Sequence, residues 1–228
     1  MSFSLQFVLV LIGTFMMALI LTPLVRLLAF KMDAVDYPNA RRINTKPMPS
    51  AGGLSIVIAF STATLIFIPM LTSSTTPIKS YLSYTMPVVG AGWIIALTGL
   101  IDDIKELSAK KKMIGILLAA SLVWFFTDFR LNDFKIPFGG PLLHFEPWLS
   151  YLLTVIWIVS ITNAVNLIDG LDGLVSGVSI ISLVTMGIVS YFFLPVPNLF
   201  LTMTIFVLVA AIAGFFPFNY HPAILYLG

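Results

Sequence analysis

Cysteine is absent from this 228-residue chain, so disulfides and thiolate metal sites are excluded, while the redox compartment is left open. Charge is scarce too. Only 10% of the residues are Asp, Glu, Lys or Arg, against roughly a quarter in a soluble domain. The formal net charge of +2 is too small to point to nucleic acid. The first apolar run, 3–25, has no basic segment ahead of it and is longer than a secretory signal core, so it reads as a retained span with no cleaved leader.

What the chain does contain is apolar residues, 59% of the total, with a mean hydropathy of +1.03. Several windows exceed the roughly 18 apolar residues that a helix needs to cross a bilayer. Breaks at charge, Pro and Gly predict seven transmembrane helices, at 4–29, 52–71, 84–101, 113–127, 147–163, 174–193 and 198–216. The fourth is short and spans only if it begins within Lys110–Lys112 or continues past Thr127. The fold class expected is therefore all-α, a polytopic integral membrane protein forming one transmembrane domain over 1–228, with no repeat and no separate soluble unit.

Alternation of sides puts the loops near 30–51, 102–112, 164–173 and 217–228 on one face. Nine of the twelve basic residues fall there: Arg26, Lys31, Arg41, Arg42, Lys46, Lys105, Lys110, Lys111 and Lys112. The positive-inside rule makes that face cytoplasmic and the N-terminus external. On the outer face, the stretch 129–148 carries Gly139-Gly140 between two partly alternating runs, which fits a small extracellular hairpin or an irregular loop.

Seven of the ten acids lie on the cytoplasmic face: Asp33, Asp36, Asp102, Asp103, Glu106, Asp169 and Asp172. Asp102 and Asp103 follow an apolar run directly, and neighbours on a helix diverge by about 100°, so one can face a site while the other holds a metal or a Lys. A solvated helix end paired with Lys105 and Lys110 explains them equally well. In "NAVNLIDGLDGL", Asn166, Asp169 and Asp172 recur every third residue, so each successive pair shares a face if the segment is helical. Gly170 and Gly173 beside them let a ligand or another backbone approach.

Ionisable groups at membrane depth are functional candidates by default. Mutual repulsion among Asp102, Asp103, Asp169 and Asp172 would raise their pKa values unless a cation intervened. Oxygen ligands suit Mg²⁺, which also binds phosphates; Mn²⁺ is a natural substitute. The loop "VDYPNARRINTKPMPSAGGLSI" supplies Arg41, Arg42 and Lys46 for such phosphates, and Gly52-Gly53 opens the next helix, whose free amides favour anions. His144 reads as a surface residue. His221 lies on the acid-bearing face, where it can contact a phosphate, although a lone His is more often structural.

Taken in order on one face, "DYPNARRINTKPMPSAGG", "GLIDDIKELSAKKK" and "NAVNLIDGLDGLVSGVS" resemble the polyprenyl-phosphate N-acetylhexosamine-1-phosphate transferase family over nearly the whole chain. The first loop is most similar to the branch that loads N-acetylglucosamine phosphate onto undecaprenyl phosphate for teichoic acid or O-antigen assembly. The branch making peptidoglycan lipid I from UDP-MurNAc-pentapeptide is the alternative. The resemblance implies attack of a lipid phosphate on the β-phosphorus of a UDP-N-acetylhexosamine, with release of UMP, at the cytoplasmic side of a bacterial plasma membrane.

By that resemblance Asp102 activates the lipid phosphate and Asp103 organises metal or Lys. Asn166, Asp169 and Asp172 line the nucleotide and pyrophosphate site, Gly170 and Leu171 contact the uracil, Tyr226 stacks on it, and Lys112 matches a family Lys. Asp169 and Asp103 become the metal ligands, joined by an Asp expected just after Gly228. The resemblance thus makes the chain catalytically incomplete at its C-terminus. Ile116 departs from an expected Gln. A homodimer is compatible with the sequence. A cation-coupled transporter would also use membrane acids, but near the bilayer midplane, whereas these sit at the rim.

Overall fold

A computed structural model describes residues 5–38, 46–72, 78–194 and 198–228. The helices are α1 (Leu5–Lys31), α2 (Gly53–Thr62), α3 (Ile68–Thr72), α4 (Ile78–Lys105), α5 (Ala109–Phe126), α6 (Pro147–Ile168), α7 (Leu174–Phe192) and α8 (Leu199–Asn219). A single π-helical stretch, Ala63–Phe67, joins α2 to α3, so the pair makes one rod and the seven expected positions are all helical. The protein is an all-α, multi-pass membrane protein. Among the described residues, six helices are long and apolar enough to cross a membrane. The exception, α5, spends its first turn on Lys110, Lys111 and Lys112.

The reason for a membrane rather than an aqueous surround is visible on α1. Phe7, Val10, Thr14, Ala18, Thr22, Val25 and Ala29 are buried at three- to four-residue spacing. The opposite stripe, including Leu9, Ile12, Met16, Ile20 and Leu24, is just as apolar and exposed. An apolar surface on the outside of a packed bundle is stable only against lipid. The threonines within the buried stripe satisfy their hydroxyls locally: Thr14 donates to the Val10 carbonyl at 2.7 Å and Thr22 to Ala18 at 2.6 Å.

Helix α8 is the central element, packed against α1, α2 and α7, and its Phe215 is fully buried. Lipid provides little hydrophobic drive between helices, so contact depends on close backbone approach at small residues. A Cβ on Gly214 would stand 2.4 Å from the Phe15 carbonyl oxygen and 2.7 Å from the Ala18 Cβ of α1. The α4–α5 crossing repeats the device, with Gly115 beneath Thr98. Helix α6 packs mainly on α5.

Two small antiparallel ribbons cap opposite ends. β1 (Val35–Asp36) pairs with β2 (Met48–Pro49) in the register Val35↔Pro49 and Asp36↔Met48. β3 (Asp133–Lys135) pairs with β4 (Leu142–His144), Phe134 opposite Leu143. The second is the hairpin that Gly139-Gly140 suggested, turned by Phe138 and Gly139, both at positive φ.

Gly214→Ala should therefore destabilise the protein by about 1–3 kcal/mol, because the obstruction is backbone and cannot swing away. Gly92, whose added Cβ would meet nothing within 4 Å, is the control. Thermal unfolding in detergent should show a lowered Tm for Gly214→Ala and none for Gly92→Ala. Equal Tm values would contradict the close crossing.

Candidate active site at the acid-bearing end

After α8 the chain turns back beneath the helix ends, and residues 219–228 bind together the loops that carry the acids. The Tyr226 amide donates to the Pro49 carbonyl at 2.9 Å, and Tyr226 forms a parallel bridge with Ser50. The Gly52 and Gly53 amides then donate to the carbonyls of Tyr226 and Leu227, at 2.9 and 2.7 Å. A Cβ on Gly52 would lie 2.3 Å from the Phe215 ring and 2.8 Å from the Tyr226 carbonyl oxygen. Glycine is required here by close packing. The expectation that these amides face an anion is corrected: the start of α2 is occupied by the chain's own carbonyls.

Asn219 locks the turn. It is buried, its Oδ1 accepts from the Ser176 hydroxyl at 2.8 Å, and its Nδ2 donates to the Leu225 carbonyl at 3.2 Å. Arg26 Nε donates to the Ile224 carbonyl at 3.1 Å. Leu225, within this returning strap of residues 219–228, is fully buried. Asn219 and Ser176 carry no role in the sequence motifs, and Arg26 entered only through the charge bias of the loops. The signal available was a polar Asn at the end of an apolar helix, three residues after the Phe215-Phe216 pair.

The paired acids occupy the last turn of α4 and diverge, as helical neighbours must. Asp102 Oδ1 accepts from the Leu107 amide at 2.8 Å, and its Oδ2 forms an ion pair with Lys112. This bridge spans the tight link from α4 to α5, where Glu106 takes positive φ. Asp103 turns to the strap: its Oδ2 accepts from Ser50 Oγ at 3.2 Å, and a Cβ on Gly228 would come within 2.6 Å of it. Lys112 is thus held by Asp102.

Helix α6 runs five residues further than expected, and Asp169 is its C-cap, with φ −78° and ψ 41°. The helical three-residue repeat therefore reaches from Asn166 to Asp169 and stops there. Residues beyond Asp169 form a turn, and Asp172 swings to the strap, its Oδ2 accepting the Ala223 amide at 3.0 Å and standing 2.9 Å from His221 Nδ1. His221 thus stands in an Asp–His pair. The two glycines of the turn differ. Gly173 sits in the left-handed region at φ +71°, its Cβ direction 3.4 Å from the Tyr220 Cα, so another backbone fills its space. Gly170 has nothing within 4 Å and remains open, beside exposed Leu171.

Electrostatics draw the nucleotide candidates together. Burial pushes the Asp169 carboxyl up to about 6. The Tyr226 phenol is raised by burial and then by the charges of Asp172 and Asp169, which places all three groups within electrostatic reach. Asn166 is exposed one turn before Asp169. Lys46 is exposed just ahead of β2. Arg41 and Arg42 lie outside the described residues.

Among the described residues no group of three His, Asp or Glu side chains surrounds one metal position. Mg²⁺ commonly takes one or two carboxylates and completes its shell with water and substrate phosphates. Carboxylates of that type, with Asp169 desolvated, fit an ion shared with a phosphate ligand rather than a cage made by protein alone.

A lipid-embedded helical bundle with carboxylates, a lysine and an aromatic collected at one rim belongs to a definite class. Residues 85–228 match the model of glycosyl transferase family 4, and the chain belongs to that family. Similar relatives are more particular. The chain is 37% identical over 210 residues to the probable undecaprenyl-phosphate N-acetylglucosaminyl 1-phosphate transferase of Bacillus subtilis (strain 168), covering 92% of this chain and 54% of that protein. It is 36% identical over 141 residues to the decaprenyl-phosphate N-acetylglucosaminephosphotransferase of Mycolicibacterium smegmatis (strain ATCC 700084 / mc(2)155), covering 60% of this chain and 33% of the relative. The chain spans about half the length of the first and a third of the second.

The raised Asp169 pKa has a measurable consequence. A free Asp releases its proton near 3.9, whereas the folded carboxyl holds it up to about 6. Between those values the folded state binds more protons, so stability falls as pH rises through the window, and the full burial penalty applies above it. Without added divalent cation, Asp169→Asn should raise Tm at pH 7.5 and leave it nearly unchanged at pH 4. An equal shift at both pH values would mean that the Asp169 charge is not desolvated.

Proposed function

We propose that this chain transfers N-acetylglucosamine 1-phosphate from UDP-N-acetylglucosamine to undecaprenyl phosphate, at the cytoplasmic rim of a bacterial plasma membrane, as the first membrane step of a cell-wall polysaccharide. The reading is carried by Asp103 and Asp172 against the strap 219–228, with Asp169 in electrostatic reach of Tyr226 and the Asp102–Lys112 pair at the same end of the bundle. The likeness to the Bacillus relative supports the choice of lipid and sugar. The acids lie at helix ends and not at mid-membrane, which disfavours a cation-coupled transporter.

In this reading an oxygen of the lipid phosphate attacks the β-phosphorus of the UDP-sugar. A new P–O bond forms, the bond from that phosphorus to the bridging oxygen breaks, and UMP leaves with the electron pair. The sugar keeps its anomeric bond. Such a transfer depends on positioning and on neutralising phosphate charge. A bound Mg²⁺ would supply charge neutralisation and Lewis acidity at the pyrophosphate, with Asp169 and Asp103 as its protein ligands.

Lys112, held by Asp102, would present a cation to the incoming phosphates. Asn166 and Asp172 would orient the nucleotide, Tyr226 would stack on uracil, and the open backbone at Gly170-Leu171 would let the base edge approach. Lys46, Arg41 and Arg42 would contribute to phosphate attraction from the first loop. The lipid I reaction needs the same phosphorus chemistry and differs in the sugar.

Membranes of cells expressing this chain as part of a protein of the Bacillus relative's length, given UDP-N-acetylglucosamine, undecaprenyl phosphate and Mg²⁺, should release UMP. Asp169→Asn and Asp102→Asn should each lower turnover roughly 100-fold or more while leaving protein in the membrane. Near-normal turnover in either variant would remove that residue from the site, and preference for UDP-MurNAc-pentapeptide in competition would move the chain to the lipid I branch.

The native absence of Cys makes sidedness simple to test. In intact cells Ser108→Cys should resist an impermeant thiol reagent and Lys135→Cys should react, and the reverse labelling would invert the orientation.

A further inference from the structure

The hairpin β3–β4 lies at the end of the bundle away from the acids, and nothing in the proposed reaction uses it. Its base is fixed at helix depth. The Leu131 amide donates to Thr154 Oγ1 at 3.0 Å, Asn132 Oδ1 accepts from Ser150 Oγ at 3.0 Å, and the Phe145 amide closes on the Asn132 carbonyl at 2.8 Å. Thr154 is two turns inside α6, about 10 Å along its axis. Phe129 packs on Tyr84 of α4 with ring centroids 5.2 Å apart. The ribbon therefore starts below the helix ends and does not stand on a stalk above them.

Its two faces differ. Directly opposed residues share a face, so Asp133 and His144, hydrogen-bonded to each other, lie with Lys135 and Leu142 on one side, while Phe134 and Leu143 lie on the other. The tip residue Phe138 is fully exposed, and Phe134 and Leu143 are exposed as well. Three strand residues span about 10 Å, comparable to the interfacial layer of roughly 5–8 Å on each side of a bilayer core. The bundle surface below, at Phe125, Phe126 and Trp148, is exposed and aromatic, as expected of a belt at the lipid boundary.

We infer that the hairpin is an interfacial anchor, its Phe134–Leu143 face and Phe138 tip seated in the lipid of the leaflet opposite the acid-bearing end and its Asp133–His144–Lys135 face turned to headgroups and water. The occupant is lipid because Phe125, Phe126 and Trp148, on the helices α5 and α6 that flank the hairpin in the chain, make an exposed aromatic belt at the same end of the bundle. The opposite face of the hairpin carries the charges that an interfacial element keeps wet. Immobilising the tops of α4, α5 and α6 is the mechanical result.

The absence of native Cys allows a direct measurement of depth. Phe138→Cys, Leu143→Cys and Lys135→Cys, each carrying a nitroxide, would be reconstituted in vesicles of phosphatidylethanolamine and phosphatidylglycerol. Collision with oxygen would then be compared with collision with a water-soluble nickel complex. The oxygen-to-nickel ratio should be several-fold higher at 138 and 143 than at 135. Equal ratios at all three positions would overturn the inference. So would shielding of 138 and 143 from both reagents with spin–spin broadening that vanishes on dilution with unlabelled protein, which would mean that a second copy covers this face. Leu143→Cys provides the same reading should Phe138→Cys fail to fold.

Discussion

The first free amides of a helix need acceptors, and at the start of α2 those acceptors are the carbonyls of Tyr226 and Leu227. This pairing is the constraint on which the acid-bearing end depends. It joins residues separated by most of the chain and holds the strap against β2. Because it is a backbone interaction at a surface near lipid, leaving it unmade would strand polar groups that water reaches poorly. The glycines at 52 and 53 permit the approach, and Phe215 beneath them closes it.

Once the strap is fixed, the side chains around it acquire definite neighbours. Asp103 meets Ser50 and the Gly228 backbone, Asp172 holds the Ala223 amide, and Tyr226 comes within the field of Asp169 and Asp172. The Asp102–Lys112 pair is set separately by the short α4–α5 link. Two kinds of order meet at the rim: a strap made of backbone bonds and an ion pair made by helix geometry. The phosphoryl transfer proposed for this rim would require such rigidity, since its catalysis consists mainly of holding charges and oxygens in place.

Much of this was legible in the sequence. Long apolar runs define membrane helices, and the paired Asp after such a run falls in the last turn of α4, where neighbours diverge. The Gly139-Gly140 pair between alternating runs marks the hairpin. What periodicity could not reveal is where a pattern stops. The Asn166–Asp169–Asp172 spacing is helical only through its first interval, because Asp169 caps α6 and Gly173 takes a left-handed conformation. Gly52-Gly53 looked like an anion cradle because its acceptors lie more than 170 residues away in the chain. Asn219 was missed for the same reason: its partners, Ser176 and Leu225, are assembled only by the fold.

Residues 219–228 are strapped onto the start of α2 and organise the rim. Amide hydrogen exchange on the protein in lipid nanodiscs tests this most directly. Peptides covering 49–54 and 223–228 should be protected to the degree of helical core segments, and replacing Asn219 by Leu should release both together. Exchange of both peptides at the rate of an open loop in the unaltered protein, or release of one without the other, would mean that the strap does not hold the start of α2.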